Sequence, residues 1–347
     1  MPEISNPVTH TSDPFPRDIY FSMTNRCNLF CNFCGQNKMK WTKEDELTYE
    51  DYKTLLDQVS AMENRTVSFI GGEIFLHRDM EKILAYCGKK RIAISMILTN
   101  GTLLKEKQIN ALIDANPAHI GFSLDGTEEV HDRVRGMKGS YAKTIAAIES
   151  INRIKKEKGL SRPSVGVNFV MTGETMDSME PIIDHLANLK LSGLRFQYLT
   201  YISRKKAEEH KKTLKQLYAD FDYCYWDKFI DISPPFESTR LLKNRDKAKK
   251  RGQQKKLRTF FSFNFNDRQI EQWYNSNEEI LHDCAFLKNF LILPNGDFPL
   301  CDFIRYPVGN VRERSMEELW KEEKGQKFRK MIRKKLLPGC ERCCQLM

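Results

Sequence analysis

What the chain lacks narrows its identity first. No apolar run reaches the ~18 residues a membrane-crossing helix requires, so no transmembrane span is expected. The first residues, Met1 to Pro16, are polar and proline-containing, without the basic and apolar segments of a secretory signal. They read as an extended arm. Ten cysteines in a chain without a secretion signal point to metal ligation in a reducing cytoplasm rather than to disulfides. Apolar residues make up 40% of the chain, enough for a packed core. The length of 347 residues suggests about two domains.

The densest chemistry lies in Cys27-Asn28-Leu29-Phe30-Cys31-Asn32-Phe33-Cys34, which follows the apolar run Ile19–Met23. Three thiolates at C-x3-C-x2-C cannot all pair as disulfides. On a loop they can converge on three corners of a four-iron cluster, leaving the fourth iron without a protein ligand. An open coordination position is where a substrate or cofactor binds. A zinc knuckle would need a fourth ligand nearby, and the residues that follow include Asn37, Lys38 and Met39 instead.

Apolar spacing then alternates between strand and helix. Strands are expected at 19–23, 66–70, 92–98, 119–124, 165–171 and 194–200, with amphipathic helices between them. Alternation at this interval implies parallel β/α units. Six units fall short of a closed eight-stranded barrel, so the expected fold is α/β, an open (β/α)6 partial barrel. In such folds chemistry gathers at the C-terminal ends of the strands. Those ends carry the cysteine loop, Gly71-Gly72-Glu73, Asn100, and Ser123 with Asp125. Paired glycines permit close backbone approach, and a carboxylate accepts hydrogen bonds from an ammonium group.

The cysteine loop, with Phe33 before its last cysteine, resembles the signature of the radical S-adenosylmethionine (radical SAM) enzymes. The resemblance implies that the open iron chelates SAM, that an electron from the reduced cluster cleaves SAM to a 5′-deoxyadenosyl radical, and that this radical abstracts a substrate hydrogen atom. Gly71-Gly72-Glu73 resembles the family motif for the SAM amino group, with Ile74 where the family usually has proline. Ser123-Leu124-Asp125-Gly126 and the downstream His131–Gly136 resemble the branch with auxiliary clusters. There Ser123 and Arg135 are implied near the SAM ribose and carboxylate, with Asn100 also at the cofactor.

Five cysteines fall in the last stretch of the chain. Phe290–Leu293 and Phe298–Leu300 flank the turn signal Pro294-Asn295-Gly296-Asp297, which predicts a hairpin with Cys284 and Cys301 at its outer ends. Cys340 and Cys343 supply two more thiolates, enough for a closed four-iron cluster or a tetrathiolate zinc site. The region resembles the SPASM/twitch extension of radical SAM enzymes, and five cysteines suit the short, one-cluster twitch type. Cys344 is either a substitute for Cys343 or an unbound thiol. Cys87 reads as core packing, and Cys224 as packing or a hydrogen-atom donor.

The net charge of +10 is concentrated between Arg240 and Arg258, where ten Lys/Arg meet one acid, Asp246. Such a run is a solvated surface element or a contact for an anionic substrate, an acidic protein or nucleic acid. Nucleic acid is disfavoured, because nothing shows that the nearby Phe260–Phe265 cluster stacks bases.

The expected division is 1–16 arm, 17–230 partial barrel, 231–282 basic and aromatic insertion or linker, and 283–347 auxiliary-cluster domain. The expected protein is a cytoplasmic radical SAM oxidoreductase with two [4Fe-4S] clusters, reduced by a flavodoxin or ferredoxin. Its substrate is expected to be a small molecule or a peptide, and anionic if the basic run contacts it. About 25 residues precede the cysteine loop, too few for a winged-helix peptide-recognition domain. No cobalamin-type domain argues for methylation, and no glycine-rich tail argues for a molybdopterin-precursor role. The alternatives are a redox-neutral epimerase or dehydratase with a structural C-terminal metal, and a non-enzymatic iron–sulfur carrier or basic nucleic-acid-associated protein.

Overall fold

A computed structural model describes residues 13–38, 43, 46–222, 225–230, 237–275 and 284–343. Cys224, Cys344, Ser233-Pro234-Pro235 and most of the expected N-terminal arm lie outside these residues. The first six strands are β1 (Asp18–Ser22), β2 (Thr66–Ile70), β3 (Ala93–Thr99), β4 (His119–Ser123), β5 (Ser164–Met171) and β6 (Gly193–Tyr198). They pair in parallel in chain order. The intervening helices are α1 (Tyr49–Ala61), α2 (Met80–Lys90), α3 (Glu106–Ala115), α4 (Glu128–Arg135), α5 (Ser140–Glu157) and α6 (Pro181–Leu186). Thr48 starts α1 with the expected capping box on Asp51, satisfying two N–H donors that the first turn leaves open.

Strand alternation sorts the two faces. Ile19 and Phe21, Val165 and Phe169, and Leu194 and Phe196 are buried. They lie on the helix-covered face, where Phe21 meets Tyr52 of α1. Tyr20, Asn168 and Arg195 alternate to the other face and are half-buried. Adjacent strands are about 4.8 Å apart, so β1 and β6 would stand roughly 24 Å from each other in a flat sheet. The Tyr20 hydroxyl nevertheless feels the charge of Arg195. The sheet therefore curls, with these alternates inside.

The expected segment 231–282 is not a linker in its described part. Helix α7 covers Arg204–Leu217, and Tyr225–Phe229 form a 3-10 turn. The basic run forms α8 (Ser238–Lys255), and β7 (Thr259–Phe261) adds to the sheet beside β6. Several α8 charges are tied down. Arg240 pairs with Asp177, and Arg251 and Lys255 pair with Asp184. Phe263 and Phe265 pack on Tyr198 and on Trp273 of α9 (Asp267–Asn275), which explains that part of the aromatic cluster as core, while Phe260 stays exposed.

The predicted hairpin is also corrected. Strand β8 (Asn289–Ile292) does not ladder with the return strand but joins the outer edge of β1 in parallel. The turn itself is present, with Leu293 N–H donating to the Asp297 carbonyl at 2.9 Å. It carries the chain into β9 (Asp297–Pro299), which pairs antiparallel with β10 (Pro307–Asn310). The sheet thus has eight strands in the order β7-β6-β5-β4-β3-β2-β1-β8 and is not closed. Two helices follow, α10 (Met316–Lys321) and α11 (Glu323–Lys334), separated at Glu322. Asp13 bonds Arg329 and Arg333 of α11, fixing the start of the described chain to its end.

Candidate active site at the barrel mouth

The cysteine loop lies across the strand ends and is held there by named contacts. Phe30 and Asn32 N–H donate to the carbonyls of Arg135 and Val134 at 3.0 Å each, so the loop pairs with the end of α4. The Asn28 amide donates to Thr102 at 2.8 Å and accepts from Asn100 at 3.0 Å. Asn100 also points its amide nitrogen at the Cys27 sulfur, 3.8 Å away. Arg26 closes the near side with a two-point ion pair to Glu46, at 2.9 and 2.8 Å.

Gly71 and Gly72 seat the β2 end against this loop. A Cβ at Gly71 would stand 2.6 Å from the Thr24 carbonyl oxygen, and one at Gly72 would stand 2.1 Å from that of Arg26. Gly71 also has φ +141, a conformation glycine adopts without penalty. The Gly72 and Glu73 N–H groups donate to those two carbonyls at 2.7 and 2.9 Å. Gly72→Ala is therefore expected to displace the loop and lower the iron retained after oxygen-free reconstitution. An iron assay checks this, and a full iron complement would show that the loop tolerates the added methyl.

Glu73 is completely buried. Its carboxylate accepts from the Thr99 hydroxyl at 2.8 Å, the Asn100 N–H at 2.7 Å and the Phe75 N–H at 3.3 Å. Burial lifts its pKa against those three donors. The carboxylate ties the ends of β2 and β3 together, and through Asn100 it braces Cys27.

Arg135 is likewise engaged within the protein. Its guanidinium pairs with Asp125, reaches the Cys31 sulfur at 3.6 Å and lies 5.3 Å over the Phe33 ring. Asp125 is fully buried and also accepts the Val170 N–H at 2.6 Å. The Asp125 N–H donates to His131 Nδ1 at 3.0 Å. Arg135 Nε is buried with no hydrogen-bond partner among the described residues. Ser123 ends β4, half-buried. Sequence reasoning missed Asn28, Thr102, Glu46 and the Asp125–Arg135 pair as supports, because each joins positions distant in sequence.

Burial pushes the Cys27 thiol up to about 11 and raises Cys31, which Arg135 opposes. Cys31 and Cys34 add electrostatically to the rise at Cys27, and Cys34 to that at Cys31. In the C-terminal region, burial raises Cys301 well above its usual value, with Cys340 and Cys284 adding to the rise. Cys284 and Cys301 pack against the cluster of Phe286, Leu291 and Leu293, which Tyr20 and Ile70 also meet. Buried thiolates that repel one another are unfavourable alone and favourable around positive metal. Among the described residues, no three Cys, His, Asp or Glu are placed to hold a single metal ion. A tetrahedral zinc with Zn–S bonds of about 2.3 Å needs sulfurs roughly 3.8 Å apart. Cys87 is buried in the core on α2, as its packing role requires.

Residues 21–186 match the Radical SAM superfamily model, and residues 284–344 match the SPASM model, an iron–sulfur cluster-binding domain. The chain belongs to the radical SAM superfamily and carries a SPASM-type auxiliary-cluster domain. It shares 31% identity over 186 residues with Fe-coproporphyrin III synthase of Methanosarcina barkeri, covering 54% of this chain and 45% of that protein. It shares 29% identity with the antilisterial bacteriocin subtilosin biosynthesis protein AlbA of Bacillus subtilis, covering 67% of this chain and 52% of AlbA. The chain thus spans about half the length of these two relatives. Its fold is that of Streptococcus suis SuiB bound to S-adenosylmethionine, at TM-score 0.64 and 16% identity over 94% of this chain and 72% of SuiB. As a radical SAM protein it uses a [4Fe-4S] cluster, SAM and auxiliary iron–sulfur. No described helix is long and apolar enough to cross a membrane.

Proposed function

We propose that this radical SAM protein carries out oxidative hydrogen-atom abstraction on a peptide. The cysteine loop at the strand ends, with Cys284 and Cys301 packed on the cluster that Tyr20 and Ile70 share, supports this reading. When bound, the cluster and SAM supply one-electron cleavage of SAM to a 5′-deoxyadenosyl radical. Cys27, Cys31 and Cys34 hold that cluster. Asn100, Asn28 and Arg135 orient its loop, and Arg135 offsets thiolate charge at Cys31. Phe33 shields the loop through its stacking with Arg135, and Leu29, Val134 and Leu199 exclude water around it. Gly71, Gly72, Glu73 and Ser123 form the cofactor-binding edge at the ends of β2 and β4, Glu73 acting through the backbone it fixes. Cys284, Cys301, Cys340 and Cys343 would hold the auxiliary cluster, which would supply an electron acceptor for net oxidation of the substrate. An external flavodoxin or ferredoxin supplies the reducing electron.

Bacteriocin maturation in the relative AlbA favours a peptide. A small-molecule substrate is the second reading, favoured by the 31% identity with Fe-coproporphyrin III synthase. Under reducing, oxygen-free conditions with SAM, the wild-type chain is expected to form 5′-deoxyadenosine. A Cys27→Ala, Cys31→Ala, Cys34→Ala variant is expected to form none. Product from that variant would sink the radical assignment. About eight iron and eight sulfide per chain are expected, two four-iron clusters' worth. About four of each would leave the C-terminal thiols to another metal and move redox-neutral chemistry ahead of oxidation.

A further inference from the structure

We infer that Arg195, inside the curled sheet, is a carboxylate-reading subsite for the substrate, flanked by Asn168 and Gln197. This deepens the functional reading above and rests on it. Residues Leu194, Phe196 and Tyr198 of β6 are buried on the helix side. Phe196 stacks on Phe261, which lies under Lys249 of α8. Arg195 and Gln197 therefore face inward. Asn168 of β5 and Phe260 of β7 are Arg195's direct neighbours across the ladder.

The interior of a small parallel barrel is normally filled by branched apolar side chains. Here the inward positions of β5 and β6 include, beside Ser164, Gly166, Val170 and Gly193, the half-buried Asn168, Arg195 and Gln197. Five buried or partly buried arginines elsewhere in this chain are each held by a carboxylate, while Arg65 and Arg342 donate to the backbone carbonyls of Glu63 and Gln272. Arg26 has Glu46, Arg135 has Asp125, Arg245 has Asp246 and Asp267, Arg305 has Asp302, and Arg329 has Asp13. Arg195 has neither an ion pair nor a hydrogen bond among the described residues. A partly desolvated guanidinium without a counter-charge is costly, and an incoming anion removes that cost.

The surroundings specify the anion. Asp18, inward on β1, is already held by the Thr66 hydroxyl. His119, on the inward face of β4, bonds Ser164, and burial lowers its pKa. Among the described strand residues that face inward, Arg195 is the one cation, with no second to match a doubly charged phosphate, which suits a carboxylate in the planar guanidinium fork. Asn168 and Gln197 each offer donors and an acceptor, and together these suit the amide of an adjoining peptide unit. Tyr20 faces Arg195 across the chamber, beside Cys284 and Cys301. A carboxylate on Arg195 would thus place the rest of the substrate toward the auxiliary cysteines.

The test uses the reconstituted full chain with SAM and two probes, N-acetylglutamate methylamide and its glutamine counterpart, followed by saturation-transfer NMR. The glutamate probe is expected to bind and the glutamine probe to bind at least about tenfold more weakly. Arg195→Gln is expected to weaken the glutamate probe roughly thirtyfold, with partial retention in Arg195→Lys. SAM affinity, read from the cluster's EPR signal, is the folding and site control and should hold in both variants. Equal binding of the two probes, or an unchanged affinity in Arg195→Gln, would overturn the subsite. So would a loss confined to SAM, which would make Arg195 a reader of the cofactor's own carboxylate. A wild-type chain that forms no 5′-deoxyadenosine yet discriminates the probes would overturn the functional reading and leave the subsite standing.

Discussion

Replacing Arg135 with leucine is expected to destabilise the protein by about 3–5 kcal/mol, because Asp125 would remain as a buried charge without its partner. Asp125 has no exposed surface, and burial already raises its carboxyl against the pull of Arg135. Its remaining donor would be the Val170 N–H at 2.6 Å. For a chain of this length the loss corresponds to a drop in melting temperature on the order of 5 °C. Adding Asp125→Asn should recover much of it, since the uncompensated charge is then gone. A double variant no more stable than Arg135→Leu would show that packing around the arginine stem, not the ion pair, carries the energy. The same substitution removes the cation 3.6 Å from the Cys31 sulfur. The cluster's midpoint potential is therefore expected to become more negative in an EPR-monitored titration.

Acidification to pH 5 is the second large effect. His131 and His210 are buried, with pKa values held down to about 3 and about 4 chiefly by desolvation. Each uses Nδ1 as an acceptor, from the Asp125 N–H in one case and the Gly339 N–H in the other, both at 3.0 Å. Each Nε2 is buried without a hydrogen-bond partner among the described residues. Protonation would put a hydrogen on Nδ1 and break that bond. Both folded values lie below the unfolded value of about 6.5. The stability these groups contribute is therefore complete above about pH 6.5 and lost as pH falls toward the folded values. At pH 5 each costs about 2 kcal/mol, or about 4 together, against a typical total of 5–15. Asparagine can place Oδ1 where Nδ1 sits and cannot titrate. His131→Asn with His210→Asn should flatten the dependence of melting temperature on pH between 7.5 and 5. An unchanged slope would assign the acid sensitivity to other groups.

Local signals proved the most legible in the sequence. The boxes Thr48–Asp51 and Ser315–Glu318 cap helices as their spacing requires, because a cap is decided within four residues. The strands β1 to β6 follow from alternation, and their order follows from the short right-handed crossovers of β/α units. Pairing between distant residues was not legible. The turn at Pro294–Asp297 has the composition of a hairpin and turns the chain, but β8 finds a partner in β1 that no local pattern encodes. The basic run reads as a surface feature from its charge. Leu241 and Ala248, buried in α8, are too sparse in that run to announce a barrel helix. At the mouth, Glu73 and Arg135 stand at the strand ends where motif placement puts them. Their nearest partners are Asn100, Thr99, Asp125 and Cys31, which spacing alone does not reveal.

The pairing of β8 with β1 also has a meaning in time. Asp18 and Asn289 are ladder partners although 271 positions separate them. At synthesis rates of about 5–20 residues per second, the outer edge of β1 waits roughly a quarter of a minute to a minute for its partner to be made. During that interval an unpaired parallel edge is open to other strands. Cys284 and Cys301, which flank β8, arrive with the strand that covers the edge. Sealing of the sheet and arrival of the auxiliary thiols are thus a single late event in the birth of the chain.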